Sequence, residues 1–577
     1  MSDRLSLTGA RWIAHEVDEE RVAAVVAATN LSEPASRLLV DRFASRALCA
    51  DLSWLTPSME HLHDPLLMMG MERALARLRR ALETEEYIRI ITDYDVDGTT
   101  SSLILQAALQ IVKPGLKVDY HIPNRFVEGY GFSVAAAEAA GRDGVDLIVT
   151  ADIGVRDHAA VNRAHELGVD VLICDHHLTS GASVPEHAIV LCPPQTGCEY
   201  PNKSLAACGV SLKLAQALLK NVRRKDEILR SLMKLAAIGT VADMVSLRGL
   251  ENRAIVTLGL AAINKGRNTY GLRALLEASS LKPGQVRESD FAFRLGPRIN
   301  AAGRLDDASL VVRLFHARQW REAKALMGKL ERVNQERKTV QAKLVAQVLA
   351  SVGEQPDPFV LAWGDEHEGW HRGVVGVAAA RVKDAVLRPV GIVSVQGDVA
   401  VGSIRSPKEV HAVQALESAA DLLTRFGGHP GAAGFTVPTV NLPALRERLS
   451  SFVLDRDVRP QAPQYFFDAQ IASSDLGEEL YAQIQKFGPF GVGNTNPKFL
   501  IQGIALQNVE VRGKVGLLRF RVPRRGGLPF EGIWWGNAEQ ERALKEHKVD
   551  LLGHLSENHW RGNRQLRLEL TDARIAS

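Results

Sequence analysis

Short apolar runs recur through the first half of the chain, and each closes on polar or acidic residues. YIRIITD ends at Asp93, KVDYHIP near Pro123, DLIVTAD at Asp152 and DVLICDHH at His177; AIVLCPP follows. Helical stretches such as SSLILQAALQIV and VRDHAAVNRAHELG lie between the first four runs. Strands alternating with helices predict a parallel α/β sheet. Ligands of such sheets bind outside the carboxyl ends of the strands, which is where the acidic residues collect.

The rest of the pattern divides the chain further. Residues 1–65 read as an N-terminal helical segment of short helices with polar breaks and no visible chemistry. MERALARLRRALE, from about residue 70, has helical spacing. Residues 317–352 hold no Pro and one Gly, Gly328. That composition predicts a long helix, about 50 Å if continuous, of the kind that bridges two lobes. In a second α/β block, DPFVLAWGD, PVGIVSVQ and VAVGSIR read as strands, and VVGVAAARVKDAV and VHAVQALESAADLLTRF as helices. From about residue 462, short β segments separated by Gly/Pro turns suggest a small OB-type barrel. The expected boundaries are 1–65, 66–270, 271–355, 356–458 and 459–577.

Composition narrows the class more than the function. Hydrophobic residues are 46% and charged residues 24% of 577, which excludes disorder and fibrous repeats. A net charge of +3 names no partner, so any nucleic-acid surface has to be a local basic patch. Five cysteines, an odd number without CxxC spacing, argue against a disulfide framework or a zinc site. The start lacks a signal-peptide pattern, and no run of about 18 apolar residues occurs. A soluble cytoplasmic protein is expected.

The chemistry sits at the strand ends. In Asp93-Tyr94-Asp95-Val96-Asp97-Gly98, three carboxylates alternate. An extended backbone would put them on one side, and like charges this close recruit a cation or a proton. The motif resembles part of a calcium loop, but Ile104 stands where that loop needs Glu. Asp152, taken alone, reads first as a cap for the next helix. Asp175-His176-His177 places two imidazoles behind a carboxylate, and Asp243 precedes Glu251, Asn252 and Arg253. Taken together, Asp93, Asp95, Asp152, His176 and Asp243 offer four carboxylates and one imidazole along one sheet edge. That donor set suits Mg²⁺ or Mn²⁺, and two such ions can drive phosphodiester hydrolysis.

DYDVDG, TADIGV, DHH and the Asp243 segment resemble, in order, the motifs of the DHH phosphoesterase superfamily. HIPNRFVEGYG, GPRINAAGR, GWHRGVVGVAAARV, GSIRS, FGGHPGAAGF and PFGVGNTNPKF are similar to those of its RecJ family of single-strand-specific 5′→3′ exonucleases. The resemblance runs from about residue 65 to the C-terminus. It implies a parallel-sheet DHH lobe, a second α/β lobe of DHHA1 type, a bridging long helix and a C-terminal OB-like β-barrel. It also implies two divalent ions, Mn²⁺ or Mg²⁺, on Asp93, Asp95, Asp152, His176 and Asp243, with Asp97 as a supporting or alternative ligand. His177 would contact the scissile phosphate, and Asp175 would orient the histidines. Arg125 would grip substrate phosphate, and Arg298, Arg304, Ser403 and Arg405 would bind the 5′-terminal phosphate. His429 and glycines 427, 428, 431 and 434 would line the nucleic-acid path. Implied partners are single-stranded DNA, a single-strand DNA-binding protein and a repair or recombination helicase, with no membrane and a monomeric enzyme. Two rivals stand beside it: a superfamily phosphodiesterase for oligoribonucleotides or cyclic dinucleotides, and a non-catalytic single-strand binder.

Two positions depart from relatives. Arg89 stands where the pyrophosphatase-like branch has a metal-binding His, and Ile153 follows Asp152 where relatives often have a small or polar residue. In the OB region, VRGKVGLLRFRVPRRG carries Arg512, Lys514, Arg519, Arg521, Arg524 and Arg525 without an acid. It reads either as a phosphate-tracking strip with Phe520 stacking a base or as a solvated hairpin. Trp534, Trp535 and Trp560 are stacking candidates, though barrel core is the stronger reading. Arg304 could instead pair with Asp306 or Asp307.

Overall fold

The structure is a computed structural model that describes residues 4–43, 52, 55–178, 181–353, 355–456, 462–513, 516–525, 527–560 and 563–576. Its first lobe is built on five parallel strands. Side by side they run Val118–His121, Ile88–Thr92, Leu147–Ala151, Asp170–Cys174 and Ala188–Leu191. Both faces are covered, as an all-parallel sheet requires. Ile88, Ile90, Leu147 and Val149 pack into one core layer, and Ile91, Ile148, Val171 and Ile173 into the other. The strands after Ile88–Thr92 lie on opposite sides of it. The crevice opened by that reversal is the usual binding position of such sheets.

The long helix spans Trp320–Val352, 33 residues, or about 50 Å. Its first half buries Ala323, Met327 and Leu330 in the core beneath the first lobe, and its second half buries Leu344 and Val348 in the second lobe. It is therefore the shared wall of two cores.

The second lobe has five strands in the order Arg425–His429, Ala432–Pro438, Val399–Arg405, Val390–Gln396 and Val360–Asp365. The helix expected through VHAVQALESAADLLTRF covers only Ala412–Glu417. The chain from Arg425 instead forms a hairpin strand, with Arg425 opposite Thr436 and Phe426 opposite Phe435. Cross-strand pairing overrides the local helical pattern there.

The C-terminal unit is a seven-stranded sheet, ordered Ala469–Gln470, Phe499–Ile504, Val549–Trp560, Asn563–Ile575, Phe530–Trp534, Leu517–Val522 and Gln507–Arg512. The separate N-terminal helical segment needs correcting. Strand Arg11–Ala14 pairs parallel with Gln464–Phe467. Helices Glu19–Ala28 and Glu33–Phe43 bury Val22, Val25, Leu38 and Leu39 in one core with Phe499 and Trp534. The buried Arg42 guanidinium lies 2.7 Å from Asp468, so the two ends of the chain close one unit. Among the described residues no helix is long and apolar enough to cross a membrane.

Candidate metal centre and phosphate pocket

Asp93 follows the strand Ile88–Thr92 directly. Asp95 then caps helix Val96–Val112, its Oδ1 accepting the N–H of Asp97 (2.8 Å) and of Gly98 (3.2 Å). Asp97 therefore arrives through a helical turn, which corrects the expectation of three carboxylates along one extended segment. A Cβ at Gly98 would lie 2.4 Å from the Asp93 carbonyl oxygen, so this tight turn requires glycine.

Asp152 ends the neighbouring strand in the left-handed region, φ 65°, a conformation rare for residues other than glycine. It does not cap the next helix, whose N-cap is Asp157. Ile153 is buried among the sheet-packing residues and leaves the cluster's shape alone. Asp243 ends helix Lys225–Ala242.

These groups converge on His176. Its Nε2 lies 3.3 Å from Asp152, 3.6 Å from Asp243 and 3.8 Å from Asp97. Three overlapping sets could each surround a cation: Asp93, Asp95 and Asp152; Asp97, His176 and Asp243; Asp152, His176 and His177. Asp97 is thus among the candidate ligands. It is also an anchor, because its two oxygens accept the N–H groups of Ala207 (2.7 Å) and Cys208 (2.9 Å).

Charge in the cluster is unbalanced. Burial, and then the neighbouring carboxylates, hold Asp93 and Asp152 well above the usual carboxylate range and push Asp243 up to about 9. Burial lowers His176. Asp93 Oδ1, Asp152 Oδ1 and His176 Nε2 are buried without a hydrogen-bond partner. Orphaned lone pairs among mutually repelling carboxylates fit divalent cations, and the oxygen-rich donor set fits Mg²⁺ or Mn²⁺.

Asp175 organises the histidines. Its Oδ1 accepts the backbone N–H groups of His176 (2.7 Å) and His177 (3.1 Å) and meets His177 Nδ1 at 2.9 Å. Burial opposes charge on His177, but the bond to Asp175 outweighs it and raises the imidazole above its ordinary value. Arg89 turns to Asp119 (2.7 Å) and Asp143 (2.8 Å), so the position that distinguishes the pyrophosphatase-like branch is occupied by a surface ion-pair network.

Next to the cluster lies a pocket of guanidinium groups. Arg125 stacks 4.7 Å from the Tyr94 ring. Burial and the proximity of Arg125, Arg337 and Arg405 push Arg304 down to about 10. Asp307 instead accepts the Ser309 N–H, at 2.8 Å, and Arg304 donates to the Gly373 carbonyl, at 3.5 Å. Arg405 donates to Ser403 Oγ (2.8 Å), and a Cβ at Gly376 would meet Ser403 Oγ and Arg405 Nη2 at 3.1 Å. Arg298 does not join this pocket. It pairs with Glu331 (2.8 Å) and donates to the carbonyls of Arg294 and Ala278, so it ties helices together. Arg337, from the long helix, was not foreseen, because one arginine in a basic helix carries no sequence signal.

His429 ends the exposed strand Arg425–His429, and burial, then Arg156 and His177, lower its pKa. Gly428, at φ 149°, is required by its hairpin, since a Cβ would meet the Ala432 carbonyl at 2.4 Å; Gly427 faces open space, and a Cβ at Gly434 would only touch the Gly402 carbonyl, at 4.0 Å.

Much of the OB strip is engaged in internal contacts. Arg519 and Arg521 pair across strands with the buried Glu531, at 3.2 and 3.7 Å. Arg512 pairs with Glu510, and Arg524 donates to the Leu528 and Leu476 carbonyls. Arg525 is exposed. Phe520 and Trp534 are core residues, whereas Trp535 is exposed. Lys514 and the Trp560 side chain lie outside the described residues. The balancing acids, Glu510 and Glu531, lie just outside the 511–526 segment, and the hairpin register brings Glu531 opposite Arg521.

Known proteins resemble this chain along most of its length. Sequence models of the DHH family N-terminal domain, the DHHA1 domain and the RecJ OB domain match residues 87–240, 342–455 and 467–572. The single-stranded-DNA-specific exonuclease RecJ of Bacillus subtilis is 33% identical over 98% of this chain and 71% of its own length. The crystal structure of Thermus thermophilus RecJ with Mn²⁺ superposes with a TM-score of 0.82 at 30% identity, covering 98% of this chain and 80% of that one. The same protein with Mg²⁺ gives 0.77 at 28% identity, covering 98% and 79%.

Proposed function

Because the chain belongs to the RecJ family, we propose that it degrades single-stranded DNA from the 5′ end, releasing mononucleotides, as a metal-dependent exonuclease. The observation that carries this reading is the carboxylate–histidine cluster, with its orphaned buried lone pairs, beside the clustered guanidinium groups of Arg125, Arg304 and Arg405.

Asp93, Asp95 and Asp152 would hold one ion, and Asp97, His176 and Asp243 the other, with Asp152 and His176 near both. When bound, such ions polarise the scissile phosphate and lower the pKa of water. His177, held by Asp175, presents Nε2 as a donor to a phosphate oxygen. Arg304, Arg405 and Ser403 would hold the terminal phosphate and set where the strand is cut, and Arg125 bridges that pocket and Asp93. Asp175 keeps its charge and so keeps His177 oriented. The reading includes a cytoplasmic monomer acting in repair and recombination, beside a single-strand DNA-binding protein and a helicase.

The test is digestion of 5′-labelled and 3′-labelled single strands and a blunt duplex with Mn²⁺, Mg²⁺ or EDTA, with D175A/H176A as control. A 5′ label should appear at once as a mononucleotide while the 3′-labelled strand shortens progressively. Duplex, EDTA and control lanes should stay intact. Release of the 3′ label first would reverse the polarity. Cleavage of dinucleotides alone would make this a small-substrate phosphodiesterase. Retardation without cleavage would make it a binder.

A further inference from the structure

Arg156 lies four residues beyond Asp152, past the turn at Gly154, φ 111°. The turn is pinned, because Val155 N–H donates to Asp175 Oδ2 at 3.1 Å. The Arg156 side chain is exposed, and its Nη2 donates to the His177 carbonyl. Among the described residues it has no carboxylate partner. A guanidinium carries five N–H donors, so most of this one is left unused.

Its surroundings are those of the cleft. Arg156 and His177 are the charged groups that act on His429, which the second lobe presents on its exposed hairpin. Arg304 has different cationic neighbours, Arg125, Arg337 and Arg405. Two separate cationic positions therefore border the carboxylate cluster. One is the guanidinium pocket; the other is Arg156, beside His177. A strand cut one nucleotide from its end presents a terminal phosphate, a scissile phosphate and then the phosphates of the remaining strand. The pocket and the carboxylate cluster account for the first two.

We propose that Arg156 grips a backbone phosphate of the strand beyond the scissile bond and is a positioning residue for strand length. The proposal rests on the exonuclease reading above. An Arg–phosphate contact is bidentate and charge-assisted, and unused donors beside a nucleic-acid path have that contact available. A purely structural role, holding the His177 carbonyl, would instead affect every substrate alike.

The experiment measures kcat/KM with Mn²⁺ on 5′-phosphorylated strands of two, three and 40 nucleotides, for wild type, R156A and R156K. A dinucleotide has no phosphate beyond the scissile one. R156A should therefore lose about tenfold more on the trinucleotide and the 40-mer than on the dinucleotide. The loss should fall mainly in KM, and the salt dependence of 40-mer binding should flatten by about one phosphate contact. R156K should recover part of it. Equal losses at all three lengths would overturn the proposal in favour of a structural role, as would wild-type behaviour of R156A throughout. Failure of the wild type to cleave any strand would instead overturn the exonuclease reading.

Discussion

His177 Nδ1 lies 2.9 Å from Asp175 Oδ1, and that same oxygen accepts the backbone N–H groups of both His176 and His177. One carboxylate oxygen thus fixes the loop and the ring orientation, and favours the imidazolium, whose Nε2–H is the donor left over. D175N would put an amide where three donors meet one acceptor. It should lower kcat by about 10–100-fold, the usual range for a partner that orients a metal or phosphate contact. With H177A it should be far less than additive, because both changes remove one unit. Steady-state kinetics of the single and double variants check this; additive losses would separate the residues.

The carboxylate cluster couples stability to pH and metal. Asp243 sits near 9, and Asp93 and Asp152 lie well above the usual range. A carboxyl whose folded pKa is raised binds more protons folded than unfolded, so its ionisation works against the metal-free fold as pH rises. Bound cations offset that repulsion. The rise in Tm on adding Mn²⁺ to the EDTA-treated protein should therefore widen between pH 6 and pH 9. It should shrink in D243N, whose metal-free form should be more stable than wild type at pH 8. Thermal unfolding with EDTA or Mn²⁺ measures both, and a Mn²⁺ shift that stays flat with pH would contradict the argument.

Arg304 and Arg298 share a helix but not a task. R304A should bring the rate on a 5′-phosphorylated strand down by about 10–100-fold, toward that on a 5′-hydroxyl strand, the scale of a lost charge-assisted contact. R298A should keep the phosphate preference and lower Tm, since it leaves Glu331 and two carbonyls without their donor. Rates on the two 5′ ends, together with unfolding curves, separate the cases. Loss of the preference in R298A would return it to the pocket.

Glu531 makes the OB strip a stability element. It is 8% exposed and lies against Arg519 and Arg521. R519A/R521A strands a buried carboxylate and should cost about 1–2 kcal/mol, reduced from the fully buried case because both arginines are partly exposed. Adding E531Q should recover much of it. Urea unfolding reads this directly, and a drop in single-strand affinity at unchanged stability would restore the strip as a binding surface.

Local periodicity was enough for the elements that position the chemistry. Five apolar runs became five parallel strands, and the Pro-free stretch became the helix Trp320–Val352. Asp93, Asp152 and Asp175 follow strands, where burial on both faces demands apolar runs and the crevice demands polar ends. Those features depend on neighbours a few residues away, so the amino-acid order alone determined them, together with the family. Only the tertiary structure decided the rest. It brought Asp97 and Asp243 to His176 through helix ends. It took Arg298 out of the pocket and set Arg337 near Arg304. It matched Arg519 and Arg521 with Glu531, and closed residues 11–43 onto the C-terminal sheet. Most of these rest on contacts between residues far apart in the chain, and the Glu531 pairing on a hairpin register; neither leaves a periodic trace in the sequence.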